Sequence, residues 1–397
     1  MSKPSVLFTS HPLFIPVIKQ LKDDIEVQVI DTGFAQSLSN LDIGNTNITS
    51  LIDETLREAA TYESAKIIAA SFSVGGYKDK ISEGGVKFIR ERLPVFLYAR
   101  ALDMSTLILT LDKAKPKMIV LHNDVDCGAR TMALWAKTRG IKCLHVPHAV
   151  YQDVGRGTVG TDIHDTVTSS HLAASGAYQR KWYEERGMSP SNIKETGLPQ
   201  FDKWASLRVD RTRAAKLFRL DPFLPVVTYM ATWRQNTNLA GCNDLWVKAY
   251  VDFLEACKRL GNSIQLAVKI HPNAGQDNIK VHIDLANKMG VRCLITPHYL
   301  DLILQVSNLV FAPFGSNVLI DASFMPQCRL STFEGHGYFG DNAVKKVPMT
   351  VDGIAEGITK ILSSDPIDST LFRTKYAGMA DGKAHERVAD FIWELLL

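Results

Sequence analysis

The feature that most constrains the fold of this chain is a recurring unit. A run of four to six mostly apolar residues stops abruptly at a small polar cluster, and a segment of helical periodicity follows. The runs are 5–8 (SVLF), 27–30 (VQVI), 117–121 (KMIVL), 142–146 (KCLHV), 226–230, 265–270, 292–295 and 309–312. Runs of this length fit buried strands, and apolar strands joined through helices mean a parallel sheet covered on both faces. Helical periodicity is read over 13–22, 129–139, 177–186, 244–260, 279–289, 300–306, 318–324 and 384–396. Gly140 is a natural stop for the second of these. Residues 51–103 read as largely helical, broken at Ser73-Val74-Gly75-Gly76, and 166–168 reads as a resumption of the sheet. The expectation is α/β: two Rossmann-like, doubly wound domains with a cleft between them.

Length supports the pair. The 397 residues exceed the roughly 250–300 at which a single core stops growing. The first domain is placed at 1–195 and the second at 196–380, with a closing helix over 381–397. A polar, Gly-rich loop covers 151–165. The net charge of +3 is no footprint of a dedicated nucleic-acid binder. The six cysteines are scattered, with no CxxC pair and no histidines at zinc-ligand spacing, which fits a reducing, cytoplasmic setting. No secretion signal and no run near the ~18 apolar residues of a membrane span is visible, so a soluble protein is expected, with peripheral attachment to a membrane left open.

In such sheets ligands bind beyond the carboxyl ends of the strands. The polar residues there are Ser10-His11, His122-Asn123-Asp124, Pro147-His148, Thr232-Trp233-Arg234, His271-Pro272-Asn273 and Pro313-Phe314-Gly315-Ser316-Asn317. In the last, a strand runs through Gly315 into a helix expected to start at about Ser316, whose free N–H groups suit a phosphate. Asp321 would reach a ribose; the plainer reading is an N-cap and a solvated carboxylate. Lys269 and His271 end one strand as donor contacts, and Thr232 and Arg234 end another, guanidinium being a bidentate phosphate ligand. His148 is a candidate general base on an acceptor hydroxyl, against a loop histidine satisfied by backbone. Asp124 is the second base candidate. Asp124 and Asp126 form an Asp-x-Asp triplet, a metal signature in another glycosyltransferase fold, but triplets arise by chance and no metal is assigned.

Five segments in order carry a resemblance. Gly197-Leu198-Pro199-Gln200-Phe201-Asp202, Met230-Ala231-Thr232-Trp233-Arg234, Lys269-Ile270-His271-Pro272, Pro147-His148-Ala149 and the stretch from Asp301 through Ser316 and Asp321 to Pro326 resemble elements of CDP-glycerol glycerophosphotransferases and related capsule and teichoic-acid polymer enzymes. The likeness spans roughly 145–330. It implies a GT-B fold, no obligatory metal, and catalytic roles for the matched histidines, His148 and His271. Gln200 stands where the family has arginine, Ala149 where it has glycine, and Pro-Phe-Gly-Ser-Asn replaces its Asp-Tyr-Ser-Ser turn.

The expected activity is therefore transfer of a sugar or glycerophosphate unit from a CDP- or UDP-linked donor to an acceptor hydroxyl, on a surface glycan or polymer precursor, without a cofactor. The rivals are a non-hydrolysing nucleotide-sugar 2-epimerase, a non-catalytic nucleotide-binding or scaffold protein, and transfer to a modified nucleic-acid base. Four basic residues between Lys87 and Arg100 leave that last acceptor open.

Overall fold

The computed structural model describes residues 3–30, 45–73, 93–124, 126–150, 167–231, 245–272, 274–314, 316–335 and 342–397. Two parallel sheets organise them. The first contains β1 (Ser5–Thr9), β2 (Glu26–Ile30), β3 (Asn45–Asn47), β4 (Met118–Leu121), β5 (Lys142–His145), β6 (His171–Ala174) and β7 (Ile193–Glu195), in the order β3-β2-β1-β4-β5-β6-β7. The second contains β8 (Val226–Met230), β9 (Gln265–Lys269), β10 (Leu294–Thr296), β11 (Leu309–Phe311), β12 (Arg329–Phe333) and β13 (Val344–Val347), in the order β10-β9-β8-β11-β12-β13. Every pairing is parallel. Each sheet thus winds outward from its first strand and reverses, the doubly wound order with a switch point between β1 and β4 or between β8 and β11.

Side-chain alternation explains why both faces are covered. In the first sheet Val6, Phe8, Met118 and Val120 pack on one side against Phe14, Val17 and Ile18, whereas Leu7, Ile119 and Leu121 pack on the other against Met132, Ala133 and Trp135. In the second, Val226 and Val310 belong to one core, and Val227, Tyr229, Leu309 and Phe311 to the opposite one.

The closing helix Ala384–Leu396 returns to the first sheet. Its Val388, Ala389 and Ile392, one apolar stripe at helical spacing, pack on Phe14, Val17, Ile18 and Leu21. Complete burial of Val388 and Ile392 is worth about 1.5–3 kcal/mol each. Of the strand expected at 166–168, Thr166 lies outside the described residues and 167–169 is irregular; β6 begins at His171. Five strands escaped the sequence reading, β3, β6, β7, β12 and β13, each short or carrying polar residues. The region 51–103 holds the helix Glu54–Ser73 and part of the helix Leu93–Ala114; the expected break at 73–76 lies at the edge of the described residues. The loop 151–165 lies outside them.

Candidate site at the strand ends

Strand order brings three histidines together. His11 follows β1, His122 follows β4 and His148 follows β5, and these strands are adjacent although the chain separates the first two by 111 residues. The His11 and His122 rings stack with centroids 4.7 Å apart; His148 lies 5.7 Å from His11 and 5.6 Å from His122.

Hydrogen bonds fix the tautomer of each ring. The His122 carbonyl accepts both the backbone N–H and the ring Nδ1 of His148, each at 3.0 Å. A carbonyl has no proton to give, so Nδ1 of His148 carries the hydrogen and Nε2 is the basic nitrogen. His122 Nε2 accepts from the Asn123 amide at 3.0 Å, and its Nδ1–H donates to Thr9 Oγ1 at 2.8 Å. The amide's orientation is set by Asp126, whose N–H donates to Asn123 Oδ1 and whose carboxylate accepts from Asn123 Nδ2 at 2.7 Å. His11 Nδ1 accepts the Leu13 N–H at 3.2 Å, which puts the ring proton on Nε2. All three rings are held neutral. Burial, then the neighbouring His148, lowers His11 from its ordinary value to about 3. Burial, then His11, lowers His122 to about 2. Burial also lowers His148, opposed by the His122 carbonyl and by Asp126.

The two aspartates have parted ways. Asp126 caps the helix Cys127–Thr138, accepting the Ala129 N–H at 2.7 Å. Asp124 is 2 % exposed and points its Oδ1 at His145 Nδ1, 3.5 Å away, which in turn lies 2.9 Å from the Tyr183 hydroxyl. The sequence reading offered Asp124 as the second base candidate; the structure buries it against His145.

On the second sheet, Lys269 is also turned inward. Its Nζ donates to the carbonyls of Ile270 (2.8 Å) and Pro297 (3.0 Å), and burial lowers it to about 8. His271, the next strand-end residue, is lowered to about 4 by burial and then by Lys269. The helix expected from Ser316 is a single turn, Val318–Ala322, so it offers little of a dipole, and Ser316 Oγ accepts the Val318 N–H at 3.3 Å. Asn317 Oδ1 accepts the Val150 N–H at 2.9 Å, joining the loop after β5 to the loop after β11. Asp321 accepts the Trp204 indole N–H at 2.7 Å, and burial raises it to about 6. Some surface of the residue is still exposed, but one carboxylate oxygen is already engaged. Thr232, Arg234 and Gly315 lie outside the described residues.

The Gly197–Asp202 element has a structural use. Gly197 has φ +73°, and an added Cβ would stand 3.2 Å from Ala384 Cβ. Asp202 accepts the N–H groups of Ala384 and His385 at 2.9 Å each and lies 2.8 Å from His385 Nδ1. It therefore fastens the start of the returning helix to the crossing between the sheets.

Residues 137–319 match the family CDP-glycerol:poly(glycerophosphate) glycerophosphotransferase. That glycerophosphotransferase-like stretch runs from the helix before β5 to the turn after β11. It contains His148, Lys269, His271, Ser316 and Asn317; Asp321 falls just past its end, and His11, His122 and Asp124 precede it. The resemblance read from the five motifs is thus of the same family. No curated protein matches the chain.

Solved structures match along the whole chain. UDP-N-acetylglucosamine 2-epimerase from Rickettsia bellii has a TM-score of 0.61 at 11 % identity, covering 100 % of this chain and 96 % of that one. The Methanocaldococcus jannaschii UDP-GlcNAc 2-epimerase in complex with UDP-GlcNAc and UDP gives 0.59 at 15 %, covering 99 % of each. The S. aureus MnaA–UDP co-structure gives 0.59 at 14 %, covering 100 % and 98 %. The likeness is one of fold: GT-B, with two Rossmann-like domains. Among the described residues no helix is long and apolar enough to cross a membrane.

Sequence reasoning placed His11 and His122 at strand ends but gave neither a role. Their signal was present, since both follow strands. Nothing in the sequence said that β1 and β4 are neighbours.

Proposed function

We propose that the protein transfers a sugar or glycerophosphate unit from a nucleotide-activated donor to an acceptor hydroxyl, with His148 as general base. The observation that carries this reading is the Val150–Asn317 bond. It joins the loop bearing His148 to a strand-end loop of the second sheet, inside the stretch that matches the glycerophosphotransferases. A ligand spanning the two switch points would lie across this junction.

In this reading the acceptor oxygen attacks the donor's anomeric carbon or phosphorus as its proton passes to His148 Nε2. The bond from that atom to the nucleotide's phosphate oxygen breaks and its electron pair leaves with the nucleotide. The imidazolium formed is supported by the His122 carbonyl and the charge of Asp126. On the second sheet His271 is assigned to the donor phosphates, and no divalent metal takes part. Lys269 and Asp321 act as braces: one ties β9 to the turn at Pro297, the other fixes Trp204.

The test is release of CMP or UDP from CDP-glycerol or UDP-GlcNAc, with glycerol as acceptor probe and EDTA present. Release that depends on glycerol is the expected result. Conversion of UDP-GlcNAc to its 2-epimer without acceptor would instead make the protein an epimerase. Absence of nucleotide affinity would make it a scaffold, and dependence on manganese or magnesium would overturn the metal-free step.

A further inference from the structure

The matched stretch begins well after β1, yet the contacts that hold His148 start on β1. The register of β1 on β4 runs as far as Phe8 and Val120. One step on, the side chain of Thr9 takes over from the ladder. Its Oγ1, on a residue 1 % exposed, accepts the His122 backbone N–H at 3.1 Å and the His122 ring Nδ1–H at 2.8 Å. A hydroxyl oxygen has two lone pairs, so one atom can grip the main chain and the ring of the same residue. The ring's other nitrogen accepts from the Asn123 amide. What His122 lends to His148 is its carbonyl, which takes the backbone N–H and the Nδ1–H.

A neutral imidazole can carry its proton on either nitrogen. With the proton on Nε2, His148 would meet an acceptor hydroxyl with an N–H and could take no proton from it. A carbonyl opposite Nδ1 excludes that form only while it stays aimed at the ring. We propose that Thr9 is a positioning residue for the general base: by gripping His122 at two points, it holds the carbonyl that keeps the His148 proton on Nδ1 and the lone pair on Nε2. This rests on the transferase reading above and adds to it a residue outside the stretch that matches the glycerophosphotransferases. No proton passes through Thr9 or His122. The only one that moves goes from the acceptor oxygen to His148 Nε2, and the Nδ1–H stays in place. Once His148 is charged, its bond to the carbonyl is charge-assisted and stronger, so the alignment counts most as the proton is transferred.

The first arm of the test needs no turnover. Histidine-selective ¹⁵N labelling of the full chain reads the His148 tautomer directly. The Nδ1–H form alone is expected in the wild type and in Thr9→Ser, which keeps the hydroxyl. Thr9→Val keeps the shape and loses the oxygen, and should show the Nε2–H form beside it. The second arm follows CMP release from CDP-glycerol with glycerol as acceptor. Thr9→Val should lower kcat by about two- to tenfold, the range that one neutral hydrogen bond spans, with the nucleotide Kd unchanged. Thr9→Ser should restore the rate, and Thr9→Ala carries the expectations of Thr9→Val if that variant does not fold. A wild-type His148 protonated on Nε2, or a pure Nδ1–H spectrum in folded Thr9→Val or Thr9→Ala, would overturn the proposal. So would a tautomer change without loss of kcat, or a loss that Thr9→Ser shares. Wild-type protein that turns over no donor would remove the transferase reading instead, and the spectra would still decide whether Thr9 sets the tautomer.

Discussion

Compare the two switch points, which share a topology and little chemistry. At the first, between β1 and β4, three neutral imidazoles stand together and their tautomers are dictated by carbonyl, amide and hydroxyl partners. At the second, between β8 and β11, the described polar side chains are turned mostly to the protein: Lys269 to two carbonyls, Asn317 to Val150, Asp321 to Trp204. The same wrapping of helices on a parallel sheet thus yields one edge where imidazoles gather and another whose described polar groups brace the protein. Strand order decides where a site is; the residue after each strand decides what it does.

The largest effect expected from this division is kinetic. His148→Ala should lower turnover by about 10²–10⁴-fold and leave nucleotide affinity nearly intact. His271→Ala should do the reverse, weakening nucleotide binding by about 1.5–3 kcal/mol, the cost of losing a bond to a charged ligand. Titration calorimetry with CDP and UDP, beside kcat on each variant, checks the pair. If both variants lost affinity equally, the two edges would not be separate sites.

Next comes acid stability. His11 and His122 have values of about 3 and about 2 in the folded chain, below the ordinary 6.5. Only the unfolded chain takes up these protons as pH falls below about 6.5. Stability is therefore flat above that pH and declines as it drops towards 3, by about 1.4 kcal/mol per pH unit for each ring. Urea melts at pH 6.5 and pH 5 should differ by about 3 kcal/mol from these two rings alone, since the unfolded rings are already half protonated at pH 6.5. His11→Gln should remove about half of that difference. An unchanged slope would mean that His11 is not held neutral, and the contrast between the two edges would weaken.

The smallest effect tests the braces. Lys269→Met leaves one buried and one part-buried carbonyl without their donor and should cost about 1–3 kcal/mol of stability, with nucleotide affinity unaltered. Thermal melts and nucleotide titration on one preparation suffice. Lost affinity at full stability would return Lys269 to the donor site and make the second edge more like the first.

Much of this was legible in the chain. The strands at 5–8, 142–146, 226–230 and 309–312 announced themselves because buried parallel strands are unbroken apolar runs, and the helices 300–306 and 384–396 because their apolar stripes keep a period near four. β7 (IKE) and β13 (VKKV) did not, since lysines on short strands look like loop. Residues 166–168 looked like strand because β-branched threonine and valine favour one, but the pairing with β5 starts only at His171. His148 was legible as a candidate because a proline fixes it behind a strand. Asp124 was legible as a strand-end carboxylate for the same reason; that it turns towards His145 is set by a rotamer the sequence does not show.

The sequence by itself determined the α/β class, the two-domain length, the order of strand and helix, and the family likeness over the middle of the chain. All of these depend on local period and on short motifs. Only the tertiary structure decided that His11 stacks on His122, that His122 pins His148, and that Asp202 fastens a helix begun at Ala384. Those contacts join residues 26 to 183 positions apart, through the winding of the sheet and the return of the last helix. A tautomer is set by whichever group lies opposite a ring nitrogen, and that group becomes a neighbour only when the sheet closes its order.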